Sequence, residues 1–559
     1  MAYDLESVDL PILHGTPLKL FVKLLESESI GRLMTKKLLA DTGFASLRGS
    51  DLEDAPTLQP LHPHPSESST DGAPSLETVA NIASERLGWQ PRTSADFTAA
   101  YRDGSTTPED VADRVISAIE ASNRGPEPLR AIIASDANDI RRQAEVSKAR
   151  YAKGQPLSPL DGVPVAVKDE LNQMGYPTTV GTAFMGKSPA PTDATPVARL
   201  RALGALLIGK ANMHEIGIGV TGFNAHHGVP QNPYAPGHYT GGSSSGSASS
   251  VAAGLCPLSV GADGGGSIRI PAGLCGLNGI KATYGRVSEY GAAPLCWSLA
   301  HVGPIGVTAH DTALGYLAMA GADPLDPLSC HQPPVNLEGF GNLDLKGLKI
   351  GVYDAWFEHA SDEMVSVCKE RLSELVGHGA ELVPIEVPDL NLVRLAHLVT
   401  IASEMRTAMD RHYSTDRSAL GLDVRTNLAL ANRFTSLDYV KAQRIRTQSI
   451  ASMQRIFEKV DLVATPTTGC TAPAIPSAAI PDGISDLGQI TEIMRFAPLA
   501  NLTGLPAMSV PAGYDSSGLP IGLQFHARPW EEALLLKTAL VVETHHARIA
   551  PKLSYDLLG

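Results

Sequence analysis

Apolar side chains in the first forty residues recur at the spacing of amphipathic helices. Behind Thr16 and Pro17, a favourable helix start, one apolar stripe is followed by a second that ends before Gly43. The sequence therefore predicts two short amphipathic helices within an extension that spans residues 1–45. The stripes are Leu18, Phe21, Val22, Leu25 and Ile30, Leu33, Met34, Leu38, and the basic residues on the other faces are Lys19, Lys23, Arg32, Lys36 and Lys37.

The sequence leaves two interpretations of this helical pair open. An amphipathic helix usually packs its apolar stripe onto the main body of its own protein. A basic amphipathic pair can instead lie on a membrane surface, or cover the entrance of an apolar substrate pocket. Residues 16–40 are therefore a candidate for peripheral membrane contact, and also for pairing with a second copy of the chain in a homodimer.

The rest of the chain divides into a connector and one large domain. Residues 46–77 are rich in proline, serine and acidic residues, and they predict an exposed connector. Beyond it, apolar strand-like runs alternate with helical patterns, which predicts an α/β domain over residues 78–559 with a mixed or parallel sheet. The predicted helix and strand pairs are 196–202 with 205–208, 365–376 with 381–384 and 439–460 with 462–464, and 349–353 is a further buried strand.

The overall composition narrows the functional classes. The 559 residues include 45 Lys plus Arg against 59 Asp plus Glu, a net charge of −14 that argues against a protein whose affinity rests on neutralising nucleic-acid phosphates. With 43% hydrophobic and 19% charged residues, the chain can bury a large core. No apolar run approaches the roughly 18 residues of a membrane-spanning helix, and residues 1–6 do not resemble a secretory signal. We therefore expect a cytoplasmic globular protein.

Two runs rich in glycine and serine carry the strongest chemical signal. Residues 241–247 read GGSSSGS, and residues 261–269 read GADGGGSIR after an apolar, helix-like segment. Composition alone would make the first run a flexible linker. The second glycine turn instead favours a backbone that surrounds an anion, because glycine clusters allow positive φ and close approach of N–H groups. A serine directly after such a turn could be a nucleophile that faces an oxyanion hole.

A serine nucleophile needs a base, and Lys168 is one candidate. It follows the largely apolar residues 162–167, so it should end a buried strand, where a lysine can lose its proton. The simpler alternative is a lysine paired to Asp169 or Glu170. A hidden Ser-His-acid triad is a third alternative, since the chain has 17 histidines but no Gly-x-Ser-x-Gly elbow with evident partners.

Signals for a cofactor or a metal ion are weak. Residues 217–222 match Gly-x-Gly-x-x-Gly, but the residues that follow indicate a loop rather than the helix of a dinucleotide site. His226-His227 and His214-Glu215 lack the spacing of metal ligands. Six scattered cysteines without a CxxC pair predict neither a zinc site nor a disulfide scaffold. We expect no cofactor and no metal.

Together these motifs resemble the amidase signature family. The matching segments are 241–246, 264–272 and 276–281, with Lys168 lying 75 residues before Ser243 and Ser243 lying 24 residues before Ser267. The resemblance implies the amidase signature fold, an α/β fold with a large mixed, twisted β-sheet surrounded by α-helices. It also implies a Ser-Ser-Lys triad in which Lys168 is the base, Ser243 the bridging serine and Ser267 the nucleophile that forms an acyl-enzyme.

The same resemblance assigns the surroundings of this triad. In the family the bridging serine sits at a cis peptide bond, and many relatives carry threonine where this chain has Ala262, which removes a hydroxyl beside the oxyanion turn. Asp263 and Arg269 are expected to form a charge pair that holds the turn. The implied oxyanion hole is Gly264, Gly265, Gly266 and Ser267, the implied substrate-binding residues are Gly217, Ile218, Gly219 and Ser243, and the implied supporting residues are Ser244, Asp263 and Arg269.

Further segments are similar to the plant-type fatty acid amide hydrolases within that family, namely 18–26, 209–215, 219–224, 465–469, 471–473 and 518–524. This resemblance implies hydrolysis of a small-molecule N-acyl amide, with fatty acid amides such as N-acylethanolamines favoured. One alternative is an amidase or esterase for small aliphatic or aryl substrates, and another is the amidase-like subunit of a tRNA-dependent amidotransferase. A binding protein or inactive relative is the third, although all three triad positions are present.

Overall fold

A mixed sheet of eleven strands runs through the centre of the molecule in this computed structural model, which describes residues 3–8, 10–64, 75–82 and 86–559. The strands in chain order are β1 (Leu13–His14), β2 (Leu87–Gly88), β3 (Ile132–Ala134), β4 (Pro164–Lys168), β5 (Leu206–Ala211), β6 (Leu258–Ala262), β7 (Asn278–Lys281), β8 (Val302–Gly306), β9 (Lys349–Val352), β10 (Glu381–Pro384), β11 (Leu462–Pro466), β12 (Ile484–Ser485), β13 (Ala507–Tyr514), β14 (Pro520–Ala527) and β15 (Ala547–Arg548).

Helices cover both faces of this sheet. In chain order they are α1 (Gly15–Leu25), α2 (Glu28–Asp41), α3 (Phe44–Gly49), α4 (Leu76–Ala80), α5 (Ser94–Asp103), α6 (Pro108–Ser122), α7 (Ala137–Ala152), α8 (Thr195–Ala202), α9 (Ser245–Ala252), α10 (Arg269–Leu274), α11 (Ala309–Met319), α12 (Asp354–Phe357), α13 (Asp362–Gly377), α14 (Leu390–Ala408), α15 (Asp410–Asp416), α16 (Leu422–Ala431), α17 (Ser436–Phe457), α18 (Leu487–Met494), α19 (Pro498–Thr503) and α20 (Glu532–His545).

The large sheet follows the strand order β10, β9, β11, β14, β13, β7, β8, β6, β4, β5 and β3. Its two parallel groups, β10-β9-β11 and β6-β4-β5, are joined by antiparallel pairs, and β3 is antiparallel to β5. Two short sheets pair β1 with β12 and β2 with β15. The predicted α/β fold with a large mixed sheet surrounded by helices is confirmed.

The central strands are buried on both faces, which explains their continuous apolar sequence. In β4, Val165 and Val167 join one hydrophobic cluster, whereas Ala166 between them joins another. Successive side chains of a strand point to opposite faces, so a strand covered on both faces has no polar alternation. The strand ends at Lys168, where the apolar run predicted its end.

The helices and strands predicted in the main body form with bounds shifted by a few residues. The predicted strand over 381–384 is β10, and the helix predicted over 439–460 is α17, which begins three residues earlier. Thr435 and Asp438 close a reciprocal capping box at this end, so the helix starts at the cap rather than at the first apolar residue.

The predicted N-terminal helices form as α1 and α2, but the second turns a different face to the protein. In α1 the buried residues belong to the predicted stripe, whereas α2 leaves Ile30 48% and Leu33 72% exposed. Its buried face is instead Gly31, Thr35 and Leu39. A Cβ at Gly31 would overlap the carbonyl of Leu25, so the close approach of α2 to the end of α1 requires glycine at this position.

Ion pairs and ring stacking attach this extension to the main body. Glu26, at the end of α1, receives two hydrogen bonds of 2.7 and 2.9 Å from Arg425 on α16. The third helix, α3, crosses the predicted start of the connector and stacks Phe44 on Phe434 with ring centroids 5.3 Å apart. Of the predicted connector, residues 65–74 lie outside the described part of the chain. Within the described residues, no helix is long and apolar enough to cross a membrane.

Candidate active site

Lys168 lies at the centre of a buried cluster of polar groups. Its Nζ atom is 2.8 Å from Ser243 Oγ, 3.0 Å from the carbonyl oxygen of Ala262 and 2.8 Å from Glu170 Oε2. The lysine side chain is fully buried because it ends β4 inside the sheet. The structure thus brings together the predicted lysine and bridging serine, which are 75 residues apart in the sequence.

The two acids that follow Lys168 take different partners. Asp169 faces Lys210 at 3.4 Å and accepts a hydrogen bond from Thr179, so it does not pair with Lys168. Glu170 does contact Lys168. The pKa of nearby Glu289 is raised, most strongly by burial, then by the charge of Asp326 and by that of Glu170. Lys168 therefore contacts both Glu170 and Ser243, which the sequence had suggested as alternative partners.

Ser243 begins the turn that leads into α9. The Gly242–Ser243 peptide bond is cis, as the family resemblance implied. A Cβ at Gly242 would lie 2.7 Å from the nitrogen of Gly222, so glycine is needed where these two segments touch. The carbonyl of Ser243 accepts a hydrogen bond of 3.0 Å from the N–H of His214, which anchors the turn to the segment after β5.

Ser267 lies in the tight turn between β6 and α10. It is buried, but it lines the large cavity described below. Its carbonyl accepts a hydrogen bond of 3.3 Å from the N–H of Ser244, and the Ser244 hydroxyl lies 3.2 Å from the carbonyl of Ala262. Ala262 therefore contributes through its backbone, whose carbonyl also accepts from Lys168, although it has no hydroxyl of its own.

The backbone of this turn presents fewer free donors than the resemblance implied. The N–H of Gly266 donates to Asp263 Oδ1 at 2.6 Å, so it is not available to an oxyanion, and its assignment as a donor is corrected. Within the described ranges, the N–H groups of Gly264, Gly265 and Ser267 donate to no protein acceptor. These three N–H groups therefore remain available to an oxyanion, and the oxyanion hole that the resemblance implied stays a prediction for them.

Asp263 and Arg269 form the predicted charge pair beneath the turn. Both side chains are fully buried, with Arg269 Nε 3.0 Å from Asp263 Oδ2. Arg269 also donates to Gln524 at 2.7 Å and to Asn501 at 2.6 Å. Burial raises the pKa of the Asp263 carboxyl, but the charge and hydrogen bonds of Arg269 outweigh it and hold this pKa well below its usual range. The turn therefore rests on an ionised, fully bonded carboxylate.

An apolar cavity of about 210 Å³ opens onto Ser267 and Gly265. Part of its wall is the predicted substrate-binding segment Gly217, Ile218 and Gly219. Gly217 has a positive φ of 71°, and a Cβ there would lie 3.5 Å from Ser243 Oγ, so this segment passes directly over the polar cluster. Further apolar walls come from α1, α2 and α14, with Phe21, Leu25, Leu38, Leu39, Leu398 and Ile401, and from α16 and α18.

The N-terminal extension thus packs on the main body and also covers an apolar cavity. Packing on the main body and covering an apolar pocket, which the sequence left as separate interpretations, thus both describe these two helices. The inner side of α1 and α2 lines the cavity beside Ser267. His214 supports the opposite wall, since its Nε2 lies 2.9 Å from Asp423 Oδ2 and its ring lies against Gly219.

Four residues that touch this site were missed by the sequence reasoning. Glu170 was weighed only as an alternative partner for the lysine, and Asn501 and Gln524 lie in the largely apolar elements α19 and β14. His397, on α14, lies with Nε2 2.8 Å from the carbonyl oxygen of Gly264. No local motif marks His397 or Asn501, and Gln524 ends the family-like segment 518–524 without having been given a role. Each of the three reaches the site from an element more than a hundred residues further along the chain.

The histidine and glycine patterns set aside at the sequence level lie in loops. Gly217 ends a single 3₁₀ turn, and residues 218–222 continue as irregular backbone rather than as a helix. His226 pairs with Glu215 at 2.8 Å, and this hydrogen bond raises the pKa of His226. Across the described residues, no three His, Cys, Asp or Glu side chains are grouped as ligands for a metal ion.

Known proteins are similar to this chain in sequence and in fold. A family model described as Amidase matches residues 113–536. The fatty acid amide hydrolase of Oryza sativa subsp. japonica is 40% identical, covering 100% of this chain and 96% of the rice protein. A Glutamyl-tRNA(Gln) amidotransferase subunit of Roseiflexus sp. (strain RS-1) is 36% identical over 80% of this chain and 94% of its own length. The crystal structure of peptide amidase from Stenotrophomonas maltophilia superposes with a TM-score of 0.70 at 28% identity, covering 83% of this chain and 98% of that protein.

Proposed function

Since this chain belongs to the amidase signature family and is an amide-cleaving hydrolase, we propose that it hydrolyses N-acyl amides with long acyl chains to a carboxylic acid and an amine. The observation that carries this proposal is the apolar cavity, which begins at Ser267 and is walled by the N-terminal helices. The similarity to the rice fatty acid amide hydrolase supports it, because that similarity extends through those helices.

In the proposed mechanism a proton passes along Ser267, Ser243 and Lys168. As a free amine, Lys168 has two N–H groups and one lone pair. Its contacts with Ala262 and Glu170 are to pure acceptors, so these take the two N–H groups and leave the lone pair for the Ser243 hydroxyl. Ser243 can then accept the proton of Ser267 as the Ser267 oxygen attacks the amide carbonyl.

Backbone donors and the return of the proton would complete the reaction. The N–H groups of Gly264, Gly265 and Ser267 would stabilise the tetrahedral oxyanion, each at about 3 kcal/mol for a well-placed donor. The C–N bond then breaks as Ser243 returns a proton to the leaving nitrogen, which leaves an acyl ester on Ser267. Water cleaves this ester with the same relay acting as base, and the carboxylic acid is released.

The length of the acyl chain gives the sharpest test. Each methylene buried in the cavity is worth about 0.8 kcal/mol, equivalent to about fourfold in kcat/KM. We expect kcat/KM for N-acylethanolamines to rise from butanoyl to dodecanoyl, measured below their micelle concentrations. Flat rates, or rates that favour short chains, would instead assign a small-substrate amidase or esterase.

A matched pair of serine variants tests the nucleophile in the same assay. Ser267→Ala should abolish both turnover and labelling by a fluorophosphonate, because the attacking oxygen is gone. Ser414→Ala, at an exposed serine on α15, should leave both unchanged. Undiminished labelling of Ser267→Ala would contradict the proposed triad.

We also propose that the protein is cytoplasmic and binds peripherally to a membrane surface through the outer face of α1 and α2. Leu20 is 56% exposed and Leu33 72% exposed, beside basic side chains suited to anionic lipid. Leu20→Ser with Leu33→Ser should reduce sedimentation with phosphatidylserine vesicles, whereas Leu325→Ser, at another exposed leucine, should not. The wild-type protein could instead fail to sediment with vesicles and form a dimer in sedimentation velocity that these substitutions disrupt. That result would refute membrane binding and assign this face to a homodimer.

A further inference from the structure

His397 is a buried histidine that faces the oxyanion turn from a distant helix. It lies on α14, is almost inaccessible to solvent, and places Nε2 2.8 Å from the carbonyl oxygen of Gly264. A Cβ at Gly265 would lie 2.8 Å from His397 Cε1, so the absence of a side chain at Gly265 lets the imidazole approach the turn. The histidine belongs to neither of the two glycine-rich runs.

The partner atom determines which nitrogen of His397 carries the proton. A carbonyl oxygen can only accept, so the hydrogen bond requires N–H at Nε2. Burial lowers the pKa of His397 to about 4, against the smaller opposite effect of its bond to Gly264. The ring is therefore neutral at physiological pH and donates from a single tautomer.

This hydrogen bond has a consequence on the other side of the same peptide unit. In a trans peptide the C=O and the following N–H point in opposite directions, and the Gly264–Gly265 bond is trans. With the Gly264 carbonyl held against His397, the N–H of Gly265 must point away from α14. That N–H has no acceptor among the described residues, and Gly265 lines the cavity together with Ser267.

We propose that His397 is a positioning residue, which orients the Gly264–Gly265 peptide so that the Gly265 N–H faces the oxyanion. This inference rests on the proposed function, because it assigns a task within the same reaction. It also links two parts of the site, since Arg394, Leu398 and Ile401 of the same helix line the acyl cavity. One helix thus both shapes the cavity and sets the direction of an oxyanion donor.

Three substitutions at His397 distinguish the effect of losing the hydrogen-bond donor from the effect of changing the side-chain volume. His397→Gln keeps an N–H at nearly the position of Nε2, His397→Asn carries the same amide one methylene nearer the backbone, and His397→Leu has no donor. Because removal of one oxyanion donor costs about 100- to 1,000-fold in kcat, and misorientation costs less, we expect losses of about 10- to 100-fold for Asn and Leu. KM should change less than about threefold, and Gln should keep most of the kcat.

The measurement is steady-state kinetics on a long-chain N-acylethanolamine, with thermal unfolding as a check that each variant is folded. Full kcat in Asn and Leu would overturn the proposal, as would an equal loss in all three, since then the donor would not matter. If Leu does not fold, the comparison of Gln with Asn decides. Ser267→Ala keeps this result distinct from the proposed function, because turnover that survives in Ser267→Ala refutes that function whatever His397 does.

Discussion

A single methyl group added at Gly219 should distort the wall that residues 217–219 contribute to the cavity beside Ser267. Gly219 is not among the glycines with a positive φ, so its backbone is not in the left-handed region that disfavours alanine, and the obstacle is lack of space. The added Cβ would overlap three atoms of the His214 imidazole. That ring cannot turn aside easily, because its Nε2 is hydrogen-bonded to Asp423 at 2.9 Å and its side chain is only 5% exposed.

The expected size of the effect follows from this overlap. Forcing one extra methyl group into a well-packed site costs typically about 1–3 kcal/mol. If the strain is relieved by moving residues 217–219, which lie over Ser243, the loss appears in kcat/KM as about 5- to 150-fold. Gly377→Ala, at a glycine of α13 with no neighbour within 4 Å of the added Cβ, is the matched control and should be fully active.

A double-mutant cycle decides whether the overlap is the cause. His214→Ala removes the ring, so the double variant with Gly219→Ala should be more active than the product of the two single effects, by at least about 0.5 kcal/mol or twofold in kcat/KM. The assay is hydrolysis of a long-chain N-acylethanolamine. Wild-type activity in Gly219→Ala, or strictly multiplicative effects in the double variant, would refute the reasoning.

Two further predictions concern the supports of the site. Asp263→Asn leaves the buried Arg269 without its counter-ion, which should destabilise the protein by about 3–5 kcal/mol in urea unfolding. Because folding lowers the pKa of Asp263, this stabilisation is complete above the unfolded pKa of about 4 and is lost as the pH falls below it. A difference in unfolding free energy between wild type and variant that grows in acid would contradict this sign. Arg425→Met removes the ion pair with Glu26 that holds α1, and it should lower kcat/KM for dodecanoyl more than for butanoyl substrates. An equal change for both substrates would show that α1 does not contribute to binding the acyl chain.

Local signals predicted much of the fold and where Lys168, Ser243 and Ser267 lie in it. The end of β4 at Lys168 follows from a short apolar run, because a strand buried on both faces has no polar alternation. The turns at Ser243 and Ser267 follow from glycine clusters, which only particular backbone conformations require. Each of these signals is complete within a few neighbouring residues.

The orientation of α2 shows where such signals fail. Two stripes run along this helix, and the more apolar one, with Ile30 and Leu33, is the exposed one. Periodicity identifies a stripe, but the partner decides which stripe is covered, and here the close approach of α1 selected Gly31. The availability of the Gly266 N–H was likewise decided by the side chain of Asp263, which folds back onto it.

The sequence by itself determined the family, the α/β layers and the positions of Lys168, Ser243 and Ser267. These depend on residue type and on spacing along the chain. Only the tertiary structure decided that Glu170 joins the lysine, that His397 reaches the oxyanion turn and that α1 and α2 wall the cavity. The reason is physical: such contacts join residues far apart in the chain, and their geometry is set by how helices pack around the sheet rather than by any local pattern.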